Sequence, residues 1–159
     1  MKKLIVFLIL NFLALAIGSM FIGNIATDTW YQGLVKAPWT PPGWVFGAAW
    51  TVVMITFSIF LSKAIDPRES VKPIAFYILF AIQFVLNVGW NLVFFKHHMI
   101  LIGMAVIFFL TALVMWFTWW GFWAKGKVGL YMLPYLIWLL IATSLNVYIV
   151  FHNAVVGLQ

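Results

Sequence analysis

Five long apolar stretches, separated by short polar segments, fill almost the whole chain. They cover Leu4–Gly23, Trp44–Ala64, Ile74–Phe95, Met99–Trp123 and Val128–Phe151. Each stretch holds roughly 20 to 25 residues, which is enough to cross about 30 Å of hydrocarbon at about 1.5 Å per residue. Because backbone amides in lipid must pair within their own segment, we expect five helices, numbered spans 1 to 5. The pattern therefore predicts an all-α membrane protein, with residues 1–159 forming a single bundle of five transmembrane helices.

Several polar, glycine and proline residues mark the predicted ends of the spans. Span 1 follows two lysines and is similar to a secretory signal peptide, but we expect it to be retained. The segment Thr40–Gly43 precedes span 2, with Thr40 as a candidate helix cap, and Asp66 follows its end. Pro134 should kink span 5 unless that helix starts late.

The composition rules out a water-soluble fold. Hydrophobic residues make up 66% of the chain and charged residues 8%, against about 25% charged in a typical soluble domain. The chain has no cysteine, which excludes disulfides, thiol catalysis and cysteine-ligated metals. The net charge of +6 lies almost wholly in loops and forms no continuous basic surface, so no nucleic-acid partner is expected.

The basic residues are divided unequally between the two ends of the predicted bundle. The end that holds the N-terminus collects seven of the nine: Lys2, Lys3, Lys63, Arg68, Lys72, Lys125 and Lys127. The other end collects Lys36 and Lys96. The positive-inside rule therefore predicts a cytoplasmic N-terminus and an external C-terminus in a bacterial cell membrane.

The spans contain no ionisable residue of the kind that proton-coupled carriers use. The acidic residues Asp28, Asp66 and Glu69 all fall in loops, which argues against an ion-driven carrier. The three histidines lie at span ends without carboxylates at ligand spacing, so no metal site is expected. The sequence also has no Ser-His-Asp set, phosphate loop or redox-cofactor motif. Span 4 is apolar along its length, and we expect its residue Ile107 to face lipid.

Uncharged polar and aromatic side chains instead form stripes on spans 3 and 5. On span 3 the polar stripe recurs every four residues, at Gln83, Asn87 and Asn91, with Trp90 beside it. On span 5 one face carries Tyr135, Trp138, Ala142, Leu145 and Asn146. These stripes can serve either hydrogen bonding between helices or the lining of a cavity for a mostly apolar ligand.

Depth within the bilayer favours a cavity in the outer half of the bundle. Counting inward from the outer ends of the spans puts Trp50, Asn87 and Ala142 roughly 9–14 Å deep, and Trp138 about 20 Å deep. The longest loop, Asn24–Gly43, lies above them and is rich in aromatic residues and proline. We expect this loop to be a semi-rigid lid over the cavity.

Three ordered blocks resemble the tryptophan-rich sensory protein family, also called the translocator protein or peripheral benzodiazepine receptor family. The first block runs from Trp30-Tyr31 through Lys36-Ala37-Pro38-Trp39-Thr40-Pro41-Pro42-Gly43-Trp44-Val45-Phe46-Gly47 to Trp50. The second is Gln83-x3-Asn87-x2-Trp90-x3-Phe94-Phe95, and the third is Pro134-Tyr135-x2-Trp138-x3-Ala142-x2-Leu145-Asn146. Together they extend over essentially the whole chain.

The resemblance implies a five-helix bundle, usually a homodimer, with a ligand cavity that opens towards the loop between spans 1 and 2. It implies protoporphyrin IX and haem-like tetrapyrroles as ligands, benzodiazepine-site compounds, and cholesterol in animal members. Val147 and Phe151 replace the Tyr and Arg of the sterol motif proposed for animal members, which argues against sterol binding here. Ala14-x3-Gly18 and Gly43-x3-Gly47 would permit close approach of helices in a dimer.

The stripes and the resemblance together give one set of candidate ligand-binding residues: Trp39, Pro42, Phe46, Trp50, Asn87, Trp90, Asn91, Tyr135, Trp138, Ala142, Leu145 and Asn146. Three functions are compatible with this set. The first is a receptor or sensor for tetrapyrroles and similar apolar molecules, with no cofactor required. The second is light-dependent porphyrin breakdown, with Trp50 and Trp138 as redox-active indoles. The third is a passive carrier of such ligands.

The orientation can be tested by labelling, because the chain has no cysteine of its own. In intact cells, Gln32→Cys should react with an impermeant thiol reagent and Arg68→Cys should not, since the basic loops stay inside. Labelling of Arg68→Cys without labelling of Gln32→Cys would reverse the assignment.

Overall fold

The computed structural model describes residues 1–23, 27–65 and 73–153. Within these residues there are five long helices, and a short helix lies in the loop between the first two long ones. The helices are α1 (Lys2–Met20), α2 (Thr29–Gly33), α3 (Gly43–Ala64), α4 (Pro73–Asn91), α5 (Ile100–Lys125) and α6 (Leu133–Asn153). The predicted all-α bundle is confirmed, with α2 as an addition that the hydropathy pattern did not predict.

The last two spans are two helices joined by helical turns. The helical run Ile100–Asn153 holds 54 residues, which as one straight helix would measure about 80 Å. The run reverses at Gly126, whose φ of 56° and ψ of −120° end α5, and it continues through a 3₁₀ segment, Gly126–Met132. The hydroxyls of Thr111 and Thr143 then lie 2.9 Å apart across α5 and α6. Spans 4 and 5 therefore lie side by side as antiparallel helices.

The helices close into a ring around an apolar core. Along the ring α1 packs against α3, α3 against α6, α6 against α5, α5 against α4, and α4 against α1. Phe57, Phe117, Tyr135 and Leu139 are fully buried at the centre. Because the lid joins α1 to α3, it lies at the end of the bundle where α1, α4 and α6 finish and where α3 and α5 begin. We call this the lid end.

α1 presents a narrow stripe of small and polar residues to its neighbours. Asn11 is 1% exposed, and its amide donates to the Ser58 hydroxyl of α3 at 2.8 Å. At Gly18 an added Cβ would lie 2.7 Å from the Asn91 amide nitrogen of α4. Ala14 is also buried. The Ala14-x3-Gly18 pair therefore serves close packing within this chain.

Details at the helix ends differ from the prediction. α6 begins at Leu133, so Pro134 falls in its first turn, where a missing N–H costs nothing. Thr40 does not cap α3: its hydroxyl donates to the Ala37 carbonyl at 2.7 Å, and Pro42 is the residue that precedes the helix. The proposed stop at Asp66 lies outside the described residues. The expectation that Ile107 faces lipid is wrong, because Ile107 is 2% exposed and lies in the core.

The turn between α5 and α6 depends on glycine at a close approach. A Cβ at Gly129 would lie 2.7 Å from the Phe122 backbone nitrogen and equally close to its ring. We expect Gly129→Ala to lower the free energy of unfolding by about 1–3 kcal/mol through overpacking. Gly47→Ala is the matched control, because a Cβ there meets nothing within 4 Å. Thermal unfolding in mild detergent, followed by circular dichroism, measures the difference, and equal melting temperatures for the two variants would contradict it.

Candidate functional site

The described part of the lid, residues 27–43, is anchored over the turn between α4 and α5. The Asp28 carboxylate caps α2 by accepting hydrogen bonds from the backbone nitrogens of Trp30 at 3.0 Å and Tyr31 at 3.2 Å. The Trp30 indole then stacks on His98, with ring centroids 4.0 Å apart and an angle of 11° between the planes. His98 itself adopts a φ of 57°, a conformation that few non-glycine residues take. This end of the lid is therefore held by a stack of rings.

The other end of the lid is fastened to α6. The side-chain amide of Asn153 accepts from the Val35 backbone nitrogen at 2.9 Å and donates to the Val35 carbonyl at 3.1 Å. Asn153 is fully buried but Val35 is 46% exposed, so these bonds are partly shielded from water. Further along, the Trp39 indole nitrogen donates to the Ser144 hydroxyl at 3.2 Å. We refer to the Asn153–Val35 pair as the latch.

A small cavity lies under this lid. Its volume is about 30 Å³, and its walls come from the lid, α3, the end of α4 and α6: Tyr31, Lys36, Thr40, Phe46, Trp90, Phe94, Phe95, Ala142, Leu145, Asn146 and Ile149. A volume of this size holds about one water molecule, so the lid is closed. Most of the wall is apolar, and Lys36 supplies a positive charge at the rim.

The charged rim includes a cation–π pair. The Lys36 ammonium lies 4.7 Å from the centroid of the Tyr31 ring. Burial raises the pKa of the Tyr31 phenol above its ordinary value, so at neutral pH this phenol stays uncharged. The net charge that the pair presents to the cavity is therefore positive.

One wall of the cavity is aromatic because α4 ends in a π-helical turn, Leu92–Lys96. Trp90 and Phe94 stack with centroids 5.3 Å apart, and Phe95 lies edge-on to Trp90 at 5.5 Å. A π turn holds more residues than an α turn, which lets these three rings face the same side. The Trp90 indole nitrogen donates to the Asn146 side chain at 3.3 Å, which links this wall to α6.

A buried polar network lies deeper in the bundle. The Tyr135 hydroxyl accepts from the Gln83 amide at 2.7 Å and from the Asn87 amide at 3.1 Å. Tyr135 is 0% exposed and Gln83 is 1% exposed. Tyr135 precedes Ala142 by seven residues and Asn87 precedes Trp90 by three, so the network begins roughly 5 Å below the cavity wall and reaches about 10 Å. The polar stripe on span 3 therefore serves mainly contacts between helices here.

The two candidate redox indoles do not line the cavity. Trp50 contacts the ring of Tyr135 edge-on, with centroids 6.0 Å apart. Trp138 contacts Phe46 edge-on at 5.2 Å and lines a separate groove between α3 and α6. The Trp138 indole nitrogen is buried and, among the described residues, has no hydrogen-bond partner.

The predicted site residues thus divide into two groups. Phe46, Trp90, Ala142, Leu145 and Asn146 line the cavity. The others do not line it: Trp39, Pro42, Trp50, Asn87, Asn91, Tyr135 and Trp138. Asn91 turns towards α1. Its amide donates to the Asn87 carbonyl of its own helix at 3.3 Å and lies against Gly18 of α1.

Several cavity residues were missing from the predicted set, and some of them carried a signal. Ile149 follows Leu145 by four residues, so it continues the same helical stripe. The blocks that carry the resemblance contain the other five: Tyr31, Lys36, Thr40, Phe94 and Phe95. Helix spacing alone did not predict that Phe95 joins Phe94 in the cavity wall, because a regular α-helix would direct the two side chains about 100° apart. Among the described residues, no cluster of three or more His, Cys, Asp or Glu could hold a metal ion.

Comparison with known proteins identifies the family. Residues 6–152 match the TspO/MBR family. This chain belongs to that family. It is therefore an integral membrane protein, and the similarity extends over nearly the whole bundle.

Individual relatives agree with this assignment. The chain is 36% identical to the tryptophan-rich sensory protein of Cereibacter sphaeroides, over 75% of this chain and 73% of the relative. It is 34% identical to the tryptophan-rich protein TspO of Archaeoglobus fulgidus, over 92% and 94% of the two chains. It is 31% identical to protein CrtK of Rhodobacter capsulatus, over 82% and 80%.

The Tyr135 network should contribute to stability. Tyr135→Phe keeps the ring but leaves the Gln83 and Asn87 amides without their shared acceptor, so we expect the free energy of unfolding to fall by about 1–2 kcal/mol. Tyr77→Phe is the control, because Tyr77 is 46% exposed on the outside of α4. Tryptophan fluorescence during thermal unfolding in detergent would show the loss. An unchanged melting temperature for Tyr135→Phe would mean that the amides find other partners.

Proposed function

We propose that this chain is a membrane receptor or sensor that binds tetrapyrroles, such as protoporphyrin IX or a haem-like molecule, and similar flat apolar ligands under its lid. The observation that carries the proposal is the cavity itself, which has a wall of aromatic rings and a cation at its rim. One relative is named a sensory protein, which supports the same class of function.

The chemistry of the walls suits a tetrapyrrole. The Trp90 and Phe94 rings offer a stacked π surface against which a porphyrin plane can lie. Lys36 lies at the rim beside Tyr31, where an ammonium group can pair with a propionate carboxylate. Asn146 adds a polar group that can fix the orientation of the ligand.

Binding requires the closed cavity to expand. Sites for ligands of this size measure roughly 300–1,000 Å³, whereas the closed cavity measures about 30 Å³. The lid is held by hydrogen bonds and ring contacts, and Leu34 packs into an apolar cluster with Phe95 and Ile149. Displacing the lid therefore disturbs this cluster but leaves the main core of the bundle in place. In the proposed function, the lid moves away from α6 as the ligand fills the space.

Related proposals concern assembly and chemistry. A homodimer, a cytoplasmic N-terminus and a bacterial cell membrane as location belong to the proposed function. Neither Trp50 nor Trp138 lines the cavity, so the proposal does not extend to porphyrin photochemistry.

Ala142 provides a direct test, because it lines the cavity and is 7% exposed. Ala142→Phe should fill the space opposite the aromatic wall and weaken protoporphyrin IX binding at least about tenfold, or roughly 1.4 kcal/mol. Quenching of tryptophan fluorescence by protoporphyrin IX measures the affinity. The control Ala105→Phe makes the same change at an exposed position on α5 and should leave the affinity unchanged.

Two results would count against the proposal. If the parent protein does not bind protoporphyrin IX above the level of empty detergent or lipid, the function is wrong. If Ala142→Phe binds as tightly as the parent, the ligand occupies another site.

A further inference from the structure

A second cavity lies on the outside of the bundle, in the seam between α3 and α6. This groove measures about 340 Å³ and is lined by apolar side chains from both helices. On α3 the small residues Ala48 and Ala49 leave it open, and on α6 Ile137 and Ile141 form the opposite wall. Ile137 is 56% exposed, so the groove opens towards the surroundings of the bundle. In a membrane protein those surroundings are lipid hydrocarbon.

The groove approaches the cavity under the lid at a pair of contacting rings. Phe46 lines the cavity, and Trp138 lines the groove. The two rings meet edge to face, with centroids 5.2 Å apart and an angle of 84° between their planes. Both helices line both spaces. On α3, Val45 lines the groove next to Phe46 in the cavity, and on α6, Ala142 lines the cavity one turn after Trp138 in the groove. The two spaces therefore adjoin at the Phe46–Trp138 pair.

The α3–α6 seam is one of the places where the ring of helices can part without breaking a side-chain hydrogen bond; the α1–α4 seam is another among the described residues, but the α3–α6 seam carries this groove. Hydrogen bonds between side chains join α1 to α3, α4 to α6, and α5 to α6. Among the described residues of α3 and α6, no such bond crosses the seam, and the Trp138 indole nitrogen is without a partner. Moving Phe46 away from Trp138 therefore breaks no hydrogen bond, whereas opening the lid breaks the latch.

From this we infer that the α3–α6 groove is the route by which a flat apolar ligand passes from the bilayer into the cavity, with Phe46 and Trp138 as the gate. The inference rests on the proposed function, because it needs a ligand in the cavity. Its physical basis is the partition of the ligand between water and the lipid bilayer. A molecule with a large apolar surface concentrates in hydrocarbon, where it meets the groove before it meets the lid. The groove volume lies within the range of sites for such ligands.

The test separates the rate of entry from the strength of binding. Ala48→Phe narrows the groove without touching the cavity, and Ala105→Phe is its control. Ala48 and Ala105 are both exposed, and each follows the lid-end start of its helix by five residues. With the protein in phosphatidylcholine nanodiscs, protoporphyrin IX binding would be followed by stopped-flow tryptophan quenching. Ala48→Phe should slow association and dissociation alike, by about tenfold, and leave the dissociation constant unchanged, because a narrowed passage raises the barrier in both directions.

A smaller substitution at Ala48 distinguishes a narrowed groove from a misfolded protein. Ala48→Leu should give an intermediate slowing, and Ala105→Phe should keep the parental rates. Parental rates in both Ala48 variants would overturn the inference. If Asn153→Ala also binds faster than the parent, the route of entry is the lid. A lower oligomeric mass in Ala48→Phe with parental rates would assign the groove to a second copy of the chain.

The proposed function and the route fail in different ways. If the parent protein does not bind protoporphyrin IX, both are wrong. If the parent binds and Ala142→Phe does not, but groove variants exchange ligand at the parental rate, the function stands and the route is wrong.

Discussion

Tyr135 joins three helices in the middle of the bundle, and the arrangement of the site follows from it. Its hydroxyl accepts from Gln83 and Asn87 of α4, and its ring packs edge-on against Phe57 of α3 at 5.3 Å. In lipid, apolar contact alone gives helices little preference for one another, so buried hydrogen bonds and close packing set their positions. Once this bond fixes α4 against α6, the π turn at the end of α4 directs its rings towards the lid, and the cavity lies between them.

The bonds between helices are not evenly distributed around the ring. α1 is fixed to α3 by Asn11 and Ser58, and α5 to α6 by Thr111 and Thr143. The α3–α6 seam is closed by ring contacts and small residues instead, and the groove along it adjoins the cavity at the Phe46–Trp138 pair. A membrane receptor for an apolar ligand needs both properties. It needs a rigid frame that holds the binding surface and a boundary that opens without leaving polar groups unpaired in hydrocarbon.

The lid shows how a water-facing segment can be ordered by a membrane bundle. It forms its own short helix because Asp28 caps the first turn, and it is then held by Asn153 at one end and by the Trp30–His98 stack at the other. Asn153 ends α6, and His98 lies in the turn that precedes α5. The packing of the long helices fixes these positions, and the lid adds apolar contact of its own through Leu34, which is 5% exposed.

The sequence by itself determined the class of fold, the approximate limits of the spans and about half of the cavity wall. Length and hydropathy are sufficient for the spans, because lipid accepts only segments that satisfy their own backbone. Stripe spacing was sufficient for Ala142, Leu145 and Asn146, because a regular helix repeats every 3.6 residues. Tertiary structure decided the rest. Asn87, Asn91 and Tyr135 looked like cavity residues on the same spacing, but their partners on neighbouring helices turned them to structural contacts. A helix sequence records which side chains share a face, whereas the neighbour that each face meets is set by how all five helices pack.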